Sequence, residues 1–253
     1  MSDRIFRKWR QWLRRICDDQ LRPLLVQQHM FSQLTQCTSD YAGTYQGVDL
    51  ARWIEQGYIA VACTCVRRMT EERPEQPRTL QCPKCAHRFP VRPSHSRNRS
   101  VSLVMLLQEL LQHVKANPNS LTIEWFRKGW KTATLANREF ARIMKNRRVK
   151  RLTDRRIKRD LKALKDAAKP IRLLVNTQIA HTAFDRRHRP RVRYARLERA
   201  LRLLVETFKR YFLLIEGDEV ILDIAPSQYR VMDDLRKVWP HGTPARVGPG
   251  GHP

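Results

Sequence analysis

The sequence predicts an all-α protein, folded as an antiparallel helical bundle with a Cys- and Pro-rich insertion. Apolar residues recur every three or four positions through most of the chain, which is the helical period. Ser and Thr stand before several of these stretches, where helix caps are expected. One short stretch, "EVILDI", has the pattern of a strand, but a single strand cannot form a sheet. With 253 residues and 42% apolar content, the chain is long enough to bury a core.

The first predicted helix is basic and amphipathic. Ile5, Trp9, Trp12 and Ile16 recur at helical spacing, with Arg and Lys between them. Such a helix can lie on a membrane surface, but packing of its Trp face against the rest of the domain is favoured over membrane contact. Residues 38–47, "TSDYAGTYQG", are typical of a loop. Residues 1–47 are therefore expected to form an N-terminal helix and linker.

The predicted bundle covers residues 48–216 and is interrupted at 73–99. A long helix is expected from Val48 to about Glu72, and the Pro-rich segment after it has no period. Helices resume at Ser100, with Ser100 or Ser102 as the cap. The apolar stripe of the long helix comprises Ile54, Tyr58, Val61, Cys65 and Met69.

The second half of the chain continues this pattern. Residues from Leu121 to about Arg148 read as one or more helices, and Thr153 is expected to cap a helix that runs through Lys169. Pro170 then interrupts the pattern or begins a further helix over 171–180. The clearest helix runs from Tyr194 to Ile215, with an apolar stripe of Leu197, Leu201, Leu204, Phe208, Tyr211 and Leu214. Residues 217–253 are expected to be an extension that is disordered from about 239.

The net charge is the strongest indication of function. Lys and Arg number 50 against 24 Asp and Glu, a balance of +26. An excess of this size predicts a polyanionic partner, and nucleic acid is favoured over an anionic membrane surface. No apolar run approaches the roughly 18 residues of a membrane span. Because the N-terminus lacks the features of a secretory signal, the sequence favours a cytoplasmic protein with reduced or metal-bound cysteines.

Two basic segments are the predicted nucleic-acid contacts. Eleven Lys and Arg lie between Arg138 and Arg159, and eight Arg lie between Arg186 and Arg202. Arg suits phosphate because its planar fork binds two oxygens at once. RNA is favoured over DNA, since no base-reading motif is visible. The predicted contact residues are Arg147, Arg148, Lys150, Arg151, Arg155, Arg156, Arg186, Arg187, Arg189, Arg191 and Arg193.

The insertion contains a possible zinc knuckle. Cys82 and Cys85, in "CPKC", have the spacing at which two thiolates meet one zinc ion. A structural site needs four ligands, so this spacing predicts one structural zinc with its other ligands unidentified. Cys63 and Cys65 upstream, or His87 and His95 downstream, are the candidates. A buried apolar thiol is the alternative interpretation of Cys65, which lies on the helical stripe.

The stretch "LVNTQIAHTAFD", followed by "RYARLERALRLLVETFKRYFLLIEG", resembles the C-terminal half of HEPN-superfamily proteins of the abortive-infection U-type branch. The helix "WIEQGYIAVACTCVRRM" and the later "SVSLVMLLQELL" are similar to the same branch, so the resemblance covers about residues 48–215. It implies an all-α HEPN-type bundle, commonly a homodimer, linked to phage defence or to toxin action on RNA.

The resemblance also implies a ribonuclease motif in which an Arg and a polar residue precede a His. His181 matches the His and Asn176 the polar position, but Val175 stands where the Arg is expected. Arg172 lies one helical turn before Asn176 and is the nearest candidate cation. His can act as a general acid or base, and Arg can stabilise charge on phosphate. The departure at Val175 favours a nucleic-acid-binding protein with a degenerate catalytic motif. The alternatives are a metal-independent endoribonuclease that uses His181 in a dimer, and a zinc-stabilised DNA-binding regulator.

Overall fold

The chain is mostly helical in the part that the computed structural model describes. That part comprises residues 3–40, 45–72, 79–81, 88–90, 101–175 and 193–218, with 220 and 222. A π-helical turn, Cys17–Leu21, joins the first two helices. The α-helices are α1 (Asp3–Ile16), α2 (Arg22–Asp40), α3 (Tyr45–Met69), α4 (Leu103–Ala116), α5 (Ile123–Arg127), α6 (Ala133–Met144), α7 (Asp154–Leu174) and α8 (Tyr194–Glu216). The all-α prediction is confirmed for these elements.

A short hairpin is the exception among the described elements. Strands β1 (Thr79–Gln81) and β2 (Arg88–Pro90) pair antiparallel, with Leu80 opposite Phe89. Both strands fall inside the segment 73–99 that the sequence predicts to be an insertion. Cys82 and Cys85 come between the two strands in the sequence, outside the described residues.

The chain divides into two compact units. One comprises Met1–Leu24 with Ala60–Ile221, and the other comprises Leu25–Ile59 with Leu222–Pro253. Within the second unit, the rings of Phe31 on α2 and Tyr58 on α3 stack with their centroids 4.5 Å apart. Tyr58 is buried, so this stacked pair belongs to the apolar packing of that unit.

Four helices of the first unit pack in a closed ring. α1 contacts α4 and α8, and α7 contacts the same two helices from the other side. Each helix turns one apolar stripe inward, and Trp9, Leu107, Ile171 and Phe208 are fully buried. α6 packs on α8 and on α5.

The basic helix α1 is fixed by both faces. Its buried side chains are Phe6, Trp9, Leu13 and Ile16. Trp9 meets the His113 ring edge to face, with centroids 5.1 Å apart. On the outer face, Lys8 pairs with Glu109 at 2.7 Å. The predicted packing of the Trp face against the domain is confirmed, with Phe6 and Leu13 in the stripe in place of the half-buried Ile5 and Trp12.

No described helix has the length and apolar content needed to cross a membrane.

Helix starts agree with the predicted caps. Ser102 accepts a hydrogen bond from the Met105 amide at 3.0 Å, and Thr153 accepts one from the Arg156 amide at 3.3 Å. These bonds satisfy first-turn amides that have no partner within the helix. α8 runs from Tyr194 as predicted, and all six residues of its predicted stripe are buried.

Two predicted boundaries are wrong. The loop expected over 38–47 is wrong at both ends, because α2 continues through Asp40 and α3 begins at Tyr45. Pro170 neither stops a helix nor begins one, since α7 runs through it to Leu174. Pro170 cannot donate a backbone hydrogen bond. Ala168, Ile171 and Leu174 nevertheless keep the buried face of α7 unbroken on both sides of it, so packing outweighs the lost bond.

Candidate nucleic-acid interface

The connection between α6 and α7 is a short, well-anchored loop. The chain leaves α6 through Lys145, which has a left-handed backbone with φ of 55°. The Asn146 side-chain oxygen then accepts a hydrogen bond from the Arg148 amide at 2.8 Å, which closes a turn. Two backbone bonds hold the far end: Ile123 donates to Lys150 at 2.8 Å and Leu152 donates to Leu121 at 2.9 Å.

The Lys and Arg side chains of this anchored loop are exposed. Leu152 is buried, whereas the cations that precede it are exposed. The backbone is held on both sides while the Lys and Arg side chains extend into solvent. The loop therefore presents several cations from one fixed piece of chain. Those exposed residues are Lys145, Arg147, Arg148, Lys150 and Arg151.

Two clefts adjoin this loop and share Lys145 and Asn146. The larger cleft has a volume of about 620 Å³ and lies against α6. The smaller cleft has a volume of about 450 Å³ and lies at the first turn of α7. Cations lining the larger cleft are Arg138, Arg142, Lys145, Arg147 and Lys150, and those lining the smaller are Lys145, Arg155, Arg156 and Arg159. We call these the α6 cleft and the α7 cleft.

Acidic residues do not line either cleft among the described residues. Glu139 partly neutralises the cations of the α6 cleft. Its carboxylate pairs with Arg138 at 3.2 Å and with Arg142 at 2.7 Å. One carboxylate between two guanidinium groups leaves one positive charge over. The clefts therefore combine concave shape with a surplus of positive charge, which concentrates anions near them.

Six of the predicted contact residues can be placed in this region. Arg147 and Lys150 line the α6 cleft, and Arg155 and Arg156 line the α7 cleft. Arg148 is exposed but lines neither cleft, and Arg151 donates a hydrogen bond to Asn119 at 3.1 Å. The predicted contact residues did not include Arg138, Arg142, Lys145 or Arg159, which line the clefts. The four-residue step from Arg138 to Arg142 on α6, which brings both to one side of a helix, was the available signal.

Arg156 differs from the other cations because it is largely buried. Its side chain is 12% exposed, and its Nε donates to Asp160 Oδ2 at 3.2 Å. The same oxygen accepts hydrogen bonds from Arg210 Nη1 at 2.8 Å and Tyr211 Oη at 3.1 Å. Burial, with a smaller effect of the Asp160 charge, raises the pKa of Tyr211 above its usual value, so the phenol stays protonated and donates. This buried cluster joins α7 to α8.

Of the second basic segment, Arg186 to Arg202, the structure describes residues 193–202. Arg193 is exposed just before α8. Arg186, Arg187, Arg189 and Arg191 lie outside the described residues, so their predicted role stays a prediction.

Of the predicted catalytic residues, only Arg172 is described. It is half-buried in the last turn of α7. Asn176 and His181 lie outside the described residues. Val175, which stands where the resemblance expects Arg, is 2% exposed and caps the end of α7. This position therefore belongs to the apolar packing of the helix.

The upstream cysteines are buried in α3. Burial raises the pKa of Cys63 to about 11 and the pKa of Cys65 to about 12, so both thiols are protonated near neutral pH. Cys65 Sγ lies 3.7 Å from the carbonyl oxygen of Gln20 as a weak donor. Zinc binds the deprotonated thiolate. Side chains two positions apart on a helix also point to different sides, so Cys63 and Cys65 do not face one ion together. The structure favours the buried-thiol interpretation for this pair.

Zinc at Cys82 and Cys85 is testable independently of Cys63 and Cys65. We expect protein purified without chelator to contain about one equivalent of zinc, bound by the thiolates of Cys82 and Cys85. A Cys82→Ser/Cys85→Ser variant should lose the metal, while a Cys63→Ala/Cys65→Ala variant should retain it. Metal analysis by mass spectrometry measures both. Zinc loss in the second variant alone would assign the metal to α3, and folded wild type without zinc would remove the knuckle.

Comparison with known proteins gives no relative: no protein family, curated protein or solved structure matches the chain.

Proposed function

We propose that this protein binds nucleic acid through the α6 and α7 clefts, with RNA favoured over DNA. The observation that carries the proposal is the pair of cation-lined clefts sharing Lys145, with no carboxylate lining either of them among the described residues. The phosphate backbone of nucleic acid supplies the evenly spaced negative charges that such a surface attracts.

The backbone at Lys145 supports this proposal. A left-handed residue at a helix end is usually Gly or Asn, because a side chain is strained there. Here the residue is Lys, and it lines both clefts. The junction of the two clefts therefore carries a cation at a position where Gly would be less strained.

The lining of the clefts indicates contact with phosphates instead of bases. Neither cleft has an aromatic side chain among its described lining residues, so neither offers a stacking platform for unpaired bases. Arg and Lys without such platforms hold the backbone and carry no direct sequence information. We therefore expect weak sequence preference.

The HEPN-type assignment extends this proposal. It rests on the resemblance over about residues 48–215 and adds a homodimer, a role in phage defence or toxin action, and a degenerate catalytic motif. The alternative within the same assignment is an active, metal-independent endoribonuclease in which His181 takes part in cleavage. Comparison of RNA cleavage by wild type and a His181→Ala variant, both in the presence of chelator, tests it directly.

The binding proposal predicts a steep salt dependence that a double substitution reduces. Each neutralised duplex phosphate contributes about −0.9 to the slope of log K against log salt. Arg147→Gln/Lys150→Gln should flatten the slope by roughly 1.8 and weaken binding about 60-fold at 0.1 M salt, if both residues contact phosphate. Fluorescence anisotropy with a labelled RNA duplex measures both quantities.

The matched control removes the same two charges outside the clefts. Arg22 pairs with Asp18 on the surface, and Lys128 is exposed at the end of α5. Arg22→Gln/Lys128→Gln should change the slope by much less. Equal effects of the two double variants would show that net charge alone attracts RNA, and absence of wild-type binding at low salt would end the proposal.

A further inference from the structure

The Asp160 cluster has one more positive charge than negative charge. Two guanidinium groups, those of Arg156 and Arg210, share one carboxylate oxygen. Each of the three side chains is only 11–12% exposed. Among the described residues, neither Arg pairs with a second carboxylate. A surplus charge that is mostly out of water is costly unless an anion balances it.

The surplus charge borders open space at one place. Arg156 lines the α7 cleft, and Arg210 does not. Lys145, Arg155 and Arg159 line the same cleft, so any anion there meets cations on several sides. The cleft also lies at the first turn of α7, where the helix dipole adds positive potential.

Arg156 is already oriented for such an anion. Its Nε is occupied by Asp160, and no described residue accepts a hydrogen bond from its two terminal nitrogens. Those nitrogens are the pair that binds two oxygens of one phosphate side by side. An exposed Arg or Lys loses side-chain entropy when it binds, whereas a side chain already held by Asp160 loses less.

We propose that the α7 cleft is a phosphate subsite in which Arg156 is the fixed ligand and Asp160 is its positioning residue. The inference deepens the proposed function and rests on it for the nucleic-acid source of the phosphate. The chemistry recognised is a phosphate group, carried either by RNA or by a small phosphorylated compound. Arg155, Arg159 and Lys145 supply additional charge from flexible side chains.

Charge-conserving substitutions separate orientation from charge. Lys keeps the charge of Arg but cannot bond Asp160 and offer two parallel donors at once. Arg156→Lys should weaken binding of inorganic phosphate about 10-fold, because the paired donors are lost. It should leave the RNA salt slope close to its wild-type value, because the charge is kept. Arg155→Lys, in the same cleft but exposed, should have a smaller effect, and Arg22→Lys, outside both clefts, should have none.

A second variant tests the surplus charge without altering the cleft lining. Arg210→Gln removes one cation and leaves the Arg156–Asp160 pair intact. It should weaken phosphate binding by about as much as Arg156→Lys, although Arg210 lines neither the α6 cleft nor the α7 cleft. Thermal melts identify any variant that has lost its fold, and Arg210→Gln covers the case in which Arg156→Lys does not fold.

The readouts are calorimetric titration with inorganic phosphate at constant ionic strength, with chloride as the reference anion, and RNA anisotropy. Weaker binding of both RNA and phosphate in Arg156→Lys and Arg210→Gln supports the subsite with RNA as the source. Phosphate binding that depends on both residues, without RNA binding in the wild type, supports the subsite with a small compound as the source and removes the proposed function. RNA binding that Arg156→Lys and Arg155→Lys weaken equally, or phosphate binding that both Arg156→Lys and Arg210→Gln leave intact, overturns the subsite while the proposed function stands.

Discussion

Asp160→Ala should destabilise the protein by about 3–5 kcal/mol, because it leaves two largely buried guanidinium groups without their carboxylate. Asp160 accepts three hydrogen bonds at one oxygen, from Arg156, Arg210 and Tyr211. The cluster joins α7 to α8, two helices of the closed ring. A loss of this size is a large part of the stability of an ordinary domain, about 5–15 kcal/mol. Denaturant unfolding followed by circular dichroism measures it.

Asp154 provides the matched control on the same helix. It pairs with Lys158 at 2.9 Å, but its side chain is 44% exposed. Asp154→Ala should destabilise the protein much less than Asp160→Ala, because water replaces most of an exposed ion pair. If Asp160→Ala and Asp154→Ala cost the same, the cluster is not the link between α7 and α8 that its geometry indicates.

Val175→Arg should destabilise the protein by several kcal/mol, about as much as losing Asp160, because it places a guanidinium in an apolar site. Val175 is 2% exposed at the end of α7. A cation near a helix C-terminus gains about 0.3–1 kcal/mol from the dipole, which does not offset the loss of water. Thermal and denaturant melts measure the effect.

The control for Val175→Arg lies two residues earlier. Leu173 is 55% exposed on the same turn, so Leu173→Arg should change stability by about 0.5 kcal/mol or less. Val175→Ala, which removes two methyl groups, should cost about 1–2 kcal/mol. A Val175→Arg variant that melts like the wild type would show that the position opens to solvent and accepts the Arg of the resembled motif.

The two Val175 outcomes bear on the catalytic question. The resemblance treats Val175 as an Arg site that has lost its charge, for which restoring Arg would be expected to raise cleavage. The structure gives Val175 a packing role that an Arg cannot fill. We therefore expect that Val175→Arg does not create ribonuclease activity in a stable protein, and that wild-type cleavage is weak or absent.

The sequence by itself determined most of the helices and two of their N-terminal caps. Local patterns suffice for these features because helical period and capping depend on neighbours within about one turn. Ser102, Thr153 and the stripe of α8 were readable for that reason. Pro170 was misread by the same logic, since its backbone preference is local but the packing of Ile171 and Leu174 that outweighs it is not.

The basic segment from Arg138 to Arg159 was also visible in sequence, but the roles of its members were not. Arg155 and Arg156 are adjacent and identical in type, yet one is exposed and the other is held by Asp160. The difference arises because α8 brings Arg210 and Tyr211 against α7, some fifty residues away in the chain. Only the tertiary structure decides which cations stay in solvent, which line a shared cleft and which are fixed, because solvent exposure and ion pairing depend on contacts between distant segments.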